Sequence, residues 1–135
     1  MLGILEGLEG RWHVHGHAHH EPVTGTMDAR RAVGSSWLIA TETLIAADGA
    51  LLHEDLCLYG RDPVTGDLQV HHFQEGGAVS VHAVLTTEDG QGIHWVPRGG
   101  GPRVELRRQP GGWRLRVLAL EATKAEVEVT YTLRA

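Results

Sequence analysis

The sequence predicts an all-β protein of about ten short antiparallel strands, arranged as a meander that closes into a barrel. Three observations predict this fold class. Short runs rich in β-forming residues recur along the chain, and turn-forming residues separate them about every 8–12 residues. No segment has a helical pattern long enough for a βαβ crossover, so sequential hairpins are expected. A meander of this many strands hides its edges by closing on itself.

The first elements follow from local patterns. Leu2, Leu5 and Leu8 are spaced three apart, which predicts one or two helical turns over residues 2–9. Residues 10–20 alternate strictly and predict the first strand, because side chains of a strand point to opposite faces in turn. Pro22 and Gly25 predict a break over residues 21–25.

The later elements are separated by clear turn signals. Asp48-Gly49 predicts a tight hairpin, because this pair tolerates positive φ angles. Pro63 and Gly66 predict a loop over residues 61–67. Glycine and proline clusters predict the remaining turns. The predicted strands after the first cover residues 26–33, 37–46, 51–60, 68–74, 78–86, 92–96, 103–109, 113–120 and 124–133.

Composition excludes several classes of protein. The 135 residues fit one domain covering 1–135, and 41% hydrophobic with 21% charged residues is ordinary for a globular protein. A formal charge of −5 disfavours nucleic acid as a partner, although one local basic set exists: Arg103, Arg107, Arg108, Arg114 and Arg116. No apolar run approaches the ~18 residues of a membrane span. The N-terminus lacks a signal-peptide pattern, and Cys57 is the only cysteine, so a reducing, cytoplasmic location is expected.

Four stretches carry a resemblance to a known fold family. They are Gly10-Arg11-Trp12 at the start of the first strand and residues 34–38, 59–66 and 71–77. In these stretches the chain resembles the calycin-type small barrels, which are the lipocalins, fatty-acid-binding proteins and nitrobindin-like proteins. It looks more closely like a group of bacterial proteins of that fold. The resemblance implies a barrel in which Trp12 plugs one end.

The resemblance also bears on cofactors. Nitrobindin-like haem binders have an axial histidine near the C-terminus, whereas the last histidine here is His94. The last strand also lacks the Arg-x-Tyr pattern of the carboxylate clamp in fatty-acid-binding proteins, since Tyr131 is preceded by Val129 and Thr130. Haem is therefore not expected, and no organic cofactor is predicted.

The strand over residues 51–60 carries the first candidate site. His53, Asp55, Cys57 and Tyr59 share one face, and the opposite face is rich in leucine, so either face can line the interior. One of His71 and His72 must share a side with Asp55. A wall of hydrogen-bonding groups is one interpretation, a Cys–His–Asp nucleophilic set a second, and a structural role a third. The predicted ligand-binding residues are Trp37, His53, Asp55, Cys57, Tyr59, His71, His72 and Trp95.

The first strand carries the second candidate site, a row of four histidines: His13, His15, His17 and His19. Alternate residues of a strand are ~6.6 Å apart at Cα, so two imidazoles of this row can converge on Zn, Ni or Cu. If Trp12 points into the barrel, however, the row faces out. It is then a solvated patch, an adventitious metal site or a subunit contact.

These patterns favour a cytoplasmic binding protein for a small, mostly apolar ligand over an enzyme, and no catalytic residue is assigned. A metal-binding protein or enzyme that uses histidines is the first alternative. The second is a barrel filled by its own side chains that acts through self-association, as a homodimer. The basic set defined above, which runs from Arg103 to Arg116, predicts a salt-bridge ladder with the nearby glutamates, and an anion site is the alternative.

Overall fold

A computed structural model of the chain describes residues 2–99, 101–119 and 125–134. In this part of the chain every strand pairs antiparallel with its neighbours in sequence, and the last strand pairs with the first, which closes the barrel. The predicted fold class is confirmed. The strands are β1 (Gly10–Ala18), β2 (Glu21–Ala32), β3 (Trp37–Ala46), β4 (Leu51–Arg61), β5 (Leu68–Gln74), β6 (Val79–Thr86), β7 (Gly92–Trp95), β8 (Arg103–Gln109), β9 (Gly112–Leu118) and β10 (Val127–Leu133).

The turn between β1 and β2 differs from the prediction. The break expected over residues 21–25 is wrong, because the chain reverses at His19 and His20 with φ angles of 50° and 70° and β2 begins at Glu21. Pro22 is tolerated because β2 pairs with β3 only from Val23 onward. Gly25 allows a close approach of the two strands, since a Cβ there would lie 1.8 Å from the carbonyl oxygen of Thr43.

The alternation of β1 places its apolar side chains inside. Trp12 and Val14 are buried, whereas His13, His15 and His17 are exposed on the outer face. Inward-facing residues of every strand pack together and form one hydrophobic core.

The N-terminal segment closes one end of the barrel. The expected helix is a 3-10 helix over Gly3–Leu8, with Leu5 and Leu8 buried against the core. Trp12 Nε1 donates a hydrogen bond to the carbonyl oxygen of Leu8 at 2.8 Å, and Trp113 Nε1 donates one to Gly7 at 3.3 Å. These bonds satisfy the two buried indoles where the apolar helix seals the barrel.

The last strand is shorter than the predicted range of residues 124–133. It covers Val127–Leu133, and Lys124, like residues 120–123, lies outside the described residues. A second 3-10 helix covers Glu75–Gly77, where a turn is predicted. Within the described ranges, no helix is both long and apolar enough to cross a membrane.

Candidate functional site

The barrel encloses a cavity of about 640 Å³. It extends from Leu8, at the sealed end, to residues of the opposite end such as His19, Arg98 and Pro102. The turns between β1 and β2 and between β7 and β8 lie at that second end. Pockets that hold small molecules have volumes of about 300–1,000 Å³, so this cavity has the size of a small-molecule site.

One part of the cavity wall is apolar. Side chains of the N-terminal 3-10 helix and of several strands supply it, and because these buried or partly buried groups offer no strong hydrogen-bonding atoms, they favour an apolar surface on any occupant. They include Leu8, Met27, Leu44, Val104, Leu106 and Leu115.

Another part of the wall is polar and comes mainly from β4. His53, Asp55, Cys57 and Tyr59 line the cavity. Their register explains this orientation, because Cys57 pairs with Ala40 and Tyr59 with Leu38, and both partners are buried. The leucine-rich face of β4 is therefore outside at Glu54, Leu56 and Leu58, whereas Leu52 near the start of the strand lines the cavity.

His72 joins this wall from β5 and completes a compact group. It pairs with Cys57 across the two strands, so its side chain lies on the same inner face. His72 Nε2 lies 2.7 Å from Asp55 Oδ2, and His53 Nε2 lies 3.3 Å from the same oxygen. We call His53, Asp55 and His72 the His–Asp–His cluster.

The carboxyl group of Asp55 is ionised in this environment. Burial opposes its ionisation, but the hydrogen bonds from His53 and His72 and their charges outweigh burial, so its pKa is lowered. The hydrogen bond to Asp55 raises the pKa of His53, against the effect of burial. The cluster therefore favours a negative carboxylate between two imidazoles.

Glu42 is a second carboxyl group on this wall, and the sequence interpretation missed it. It pairs with Asp55 across β3 and β4 and is only 7% exposed. The hydroxyl of Tyr131 donates a hydrogen bond to Glu42 Oε2. Burial and the charge of Asp55 raise the pKa of Glu42 to about 7, although Tyr131 and His53 act in the opposite direction. A glutamate between Ala40 and Leu44 on one face of β3 was the available signal.

Trp95 joins the polar wall through its ring and its indole N–H. Its Nε1 donates a hydrogen bond to the Tyr59 hydroxyl at 3.1 Å, and its ring lies 5.1 Å from His72 and 5.4 Å from His82. His82 and Ser80 also line the cavity, although the sequence interpretation did not select them. Because the carbonyl oxygen of Val96 lies 3.0 Å from His82 Nδ1, that nitrogen is the donor, and Nε2 accepts from the Ser80 hydroxyl at 3.0 Å.

Cys57 does not have the properties of a nucleophile. Burial, and then the charges of Asp55 and Glu42, raise the pKa of its thiol well above the ordinary value. A catalytic cysteine needs a lowered pKa, since the thiolate is the reactive form. The interpretation as a Cys–His–Asp nucleophilic set is therefore not supported, and Cys57 is a small buried wall residue.

Two predicted ligand-binding residues lie outside the cavity. Trp37 and His71 contact each other edge to face on the outer surface, with ring centroids 6.0 Å apart. Trp37 covers Gly60, where a Cβ would lie 2.3 Å from its ring. His71 points outward because its neighbour His72 points inward. The other six predicted residues line the cavity: His53, Asp55, Cys57, Tyr59, His72 and Trp95.

Three members of the histidine row, His13, His15 and His17, lie on the outer face of β1, whereas His19 lies in the turn after β1 at the open end of the cavity. All four side chains are exposed. Among the described residues, the His–Asp–His cluster is the one group of three or more His, Cys, Asp or Glu side chains with ligand atoms within 4.8 Å of one another. A metal site at the row therefore stays a prediction.

The arginines of β8 and β9 form contacts of the predicted ladder type. Arg116 contacts Glu105 at 3.5 Å and Glu128 at 3.1 Å. Arg107 forms an ion pair with Asp89 at the turn between β6 and β7. These pairs give the two strands a mixed-charge outer surface.

Comparison with known proteins assigns no family to the chain. No protein-family model matches the sequence, and no curated protein matches it. The fold and the cavity geometry are therefore the basis for a functional conclusion.

Proposed function

We propose that the chain is a calycin-like binding protein for a small, mostly apolar molecule that carries a hydrogen-bond donor. The observation that carries this proposal is the cavity of about 640 Å³, which has an apolar wall and a polar wall. A barrel filled by its own side chains would leave no such volume, so this cavity favours ligand binding over self-association as the role of the interior.

The polar wall supports a donor group on the ligand. Asp55 and Glu42 place two carboxyl groups on neighbouring strands, and the Tyr59 hydroxyl lies further along β4. A hydroxyl or amine on the ligand would find acceptors here, while its apolar body would contact the leucine and valine side chains opposite. A ligand without a donor would leave the remaining acceptor capacity of the two carboxyl groups unused and shielded from water.

Binding can be tested with N-phenyl-1-naphthylamine, an uncharged fluorescent probe that has one N–H group. We expect saturable binding of one probe per chain, with energy transfer from Trp95, which lies in the cavity wall. A probe bound in the cavity should also raise the melting temperature. Absence of saturable binding would contradict the proposal.

A matched pair of variants locates the probe. Ala40→Phe places a phenyl group in the cavity, whereas Thr41→Phe places one on the exposed outer face of the same strand. Ala40→Phe should weaken probe binding roughly tenfold or more, equivalent to about 1.4 kcal/mol, and Thr41→Phe should leave it unchanged. Equal losses in the two variants, with circular dichroism showing both folded, would place the probe outside the cavity.

A further inference from the structure

The His–Asp–His cluster has the donor set of a transition-metal site. Its ligand atoms are two imidazole Nε2 nitrogens and one carboxylate oxygen, and all lie within 4.8 Å of one another. Imidazole and carboxylate ligands suit divalent ions such as Zn²⁺ and Fe²⁺, and two histidines with one carboxylate are the ligand set of non-haem ferrous sites.

The distances fit an ion with little movement. Ligand atoms bound tetrahedrally at about 2.0–2.1 Å from zinc lie roughly 3.3–3.4 Å apart. Asp55 Oδ2 lies 3.3 Å from His53 Nε2 and 2.7 Å from His72 Nε2. Both imidazoles thus point the same ring nitrogen at one carboxylate oxygen, and small side-chain rotations would admit an ion between them.

The position in the barrel leaves room for further ligands. The three residues lie on the wall of the cavity and not in a packed core, so the remaining coordination positions of an ion would face the open volume. Three protein ligands with an open position are typical of zinc sites that bind water or substrate. Glu42, the cross-strand neighbour of Asp55, adds a second carboxyl group to the same wall.

We propose that His53, Asp55 and His72 bind one divalent first-row transition-metal ion, zinc or ferrous iron, on the cavity wall. Two strands hold the site. β4 supplies His53 and Asp55, and the neighbouring strand β5 supplies His72 from the same inner face of the barrel. The inference goes beyond the proposed ligand binding and does not depend on it, since the ion is held by protein side chains alone.

The test begins with protein without an affinity tag, treated with a chelator and then titrated with Zn²⁺ by calorimetry. We expect one ion per chain at this site. Asp55→Asn and His72→Gln should each weaken it by more than roughly 100-fold, because loss of a direct ligand exceeds the 10–100-fold effect of losing a supporting residue. Co²⁺ in place of Zn²⁺ should give a visible absorption band that disappears in the same variants.

The outer histidine row supplies the matched control. A variant in which His13, His15 and His17 of that row are all replaced by glutamine should keep the stoichiometric site. His53 has the most exposed side chain of the cluster, at 38%, so His53→Gln tests the site even if the other two substitutions prevent folding. An anaerobic Fe²⁺ titration of the same proteins distinguishes iron from zinc by their relative affinities.

The outcomes are distinct. Loss of stoichiometric binding in the cluster variants, with binding kept in the row variant, supports the site. Binding that follows the row variant, or chelator-treated protein that takes up no ion, overturns it. The N-phenyl-1-naphthylamine titration is a separate measurement, so failure of the metal site and failure of ligand binding can be told apart.

Discussion

The buried carboxyl group of Glu42 should make the stability of the protein depend on pH. Glu42 has a pKa of about 7 in the folded protein, against 4.5 for an ordinary glutamate. Between these values the unfolded chain loses the proton while the folded protein keeps it, so stability falls as the pH rises. The stability that depends on protonated Glu42 is fully present below pH 4.5 and is lost as the pH rises through about 7.

The magnitude follows from the difference between the two values. Each pH unit in this interval costs about 1.4 kcal/mol, so the total from Glu42 is about 3 kcal/mol. Glu42→Gln removes the titration and retains an oxygen that accepts the Tyr131 hydroxyl hydrogen bond. The free energy of unfolding of the variant, relative to the natural protein, should therefore increase by about 3 kcal/mol between pH 4.5 and pH 8.

Several titratable groups face Glu42, and all of them remain in the Glu42→Gln variant. Asp55 and His53 approach it from β4 and Tyr131 from β10, whereas Met27 faces it from β2. Because the charge of Glu42 also raises the pKa of His53, the difference between the two pH curves reports the titration of Glu42 together with its coupling to His53.

The assay is urea unfolding of metal-free protein at several pH values. Glu54→Gln, an exposed change on the outside of β4, is the control and should alter stability by less than about 0.5 kcal/mol throughout. A Glu42→Gln difference that does not vary with pH would refute the reasoning, because Glu42 would then titrate alike in the folded and unfolded chain.

Three further predictions follow from single contacts. Gly16→Ala should lower the free energy of unfolding by roughly 2–4 kcal/mol, because the added Cβ would lie 2.1 Å from the carbonyl oxygen of Glu128. An unchanged urea unfolding curve would show that β1 can shift away from β10 without loss of stability. Leu5→Ala should cost about 3 kcal/mol, since Leu5 is fully buried at the sealed end, and a cost below about 1 kcal/mol would show that the 3-10 helix contributes little. Trp95→Phe should lower the energy transfer to the bound naphthylamine probe while binding persists, because Trp95 lies in the cavity wall and the other tryptophans, among them Trp12 and Trp113 of the same core, still transfer energy; undiminished transfer would indicate a probe elsewhere.

Most strands could be predicted because each depends on residues close together in sequence. Residues 37–46 and 68–74 match β3 and β5, since runs of β-formers end at glycine, proline or aspartate turns. The start of β2 could not be predicted in this way. Pro22 and Gly25 are ordinary turn residues in a sequence, and only their place beside β3 makes them acceptable within a strand.

The candidate site could be predicted in part. Six of the eight expected ligand-binding residues line the cavity, because alternation groups His53, Asp55, Cys57 and Tyr59 on one face. Trp37 and His71 lie on the outer surface instead, since residue type alone does not show which face of β3 or β5 is inside. Glu42 was missed because its significance comes from Asp55 and Tyr131, which are distant in sequence.

The sequence by itself determined an antiparallel β architecture and the division of each strand into two faces. These features depend on backbone preferences and on the period of two along a strand. Only the closed barrel decided that the leucine-rich face of β4 is outside and the polar face inside. The pairing of β4 with β3 and with β5 places Tyr59 beside Leu38 and His72 beside Cys57, so one inner surface gathers groups from separate strands. The conspicuous histidine row lies on the outside, whereas the three side chains that converge come from β4 and β5.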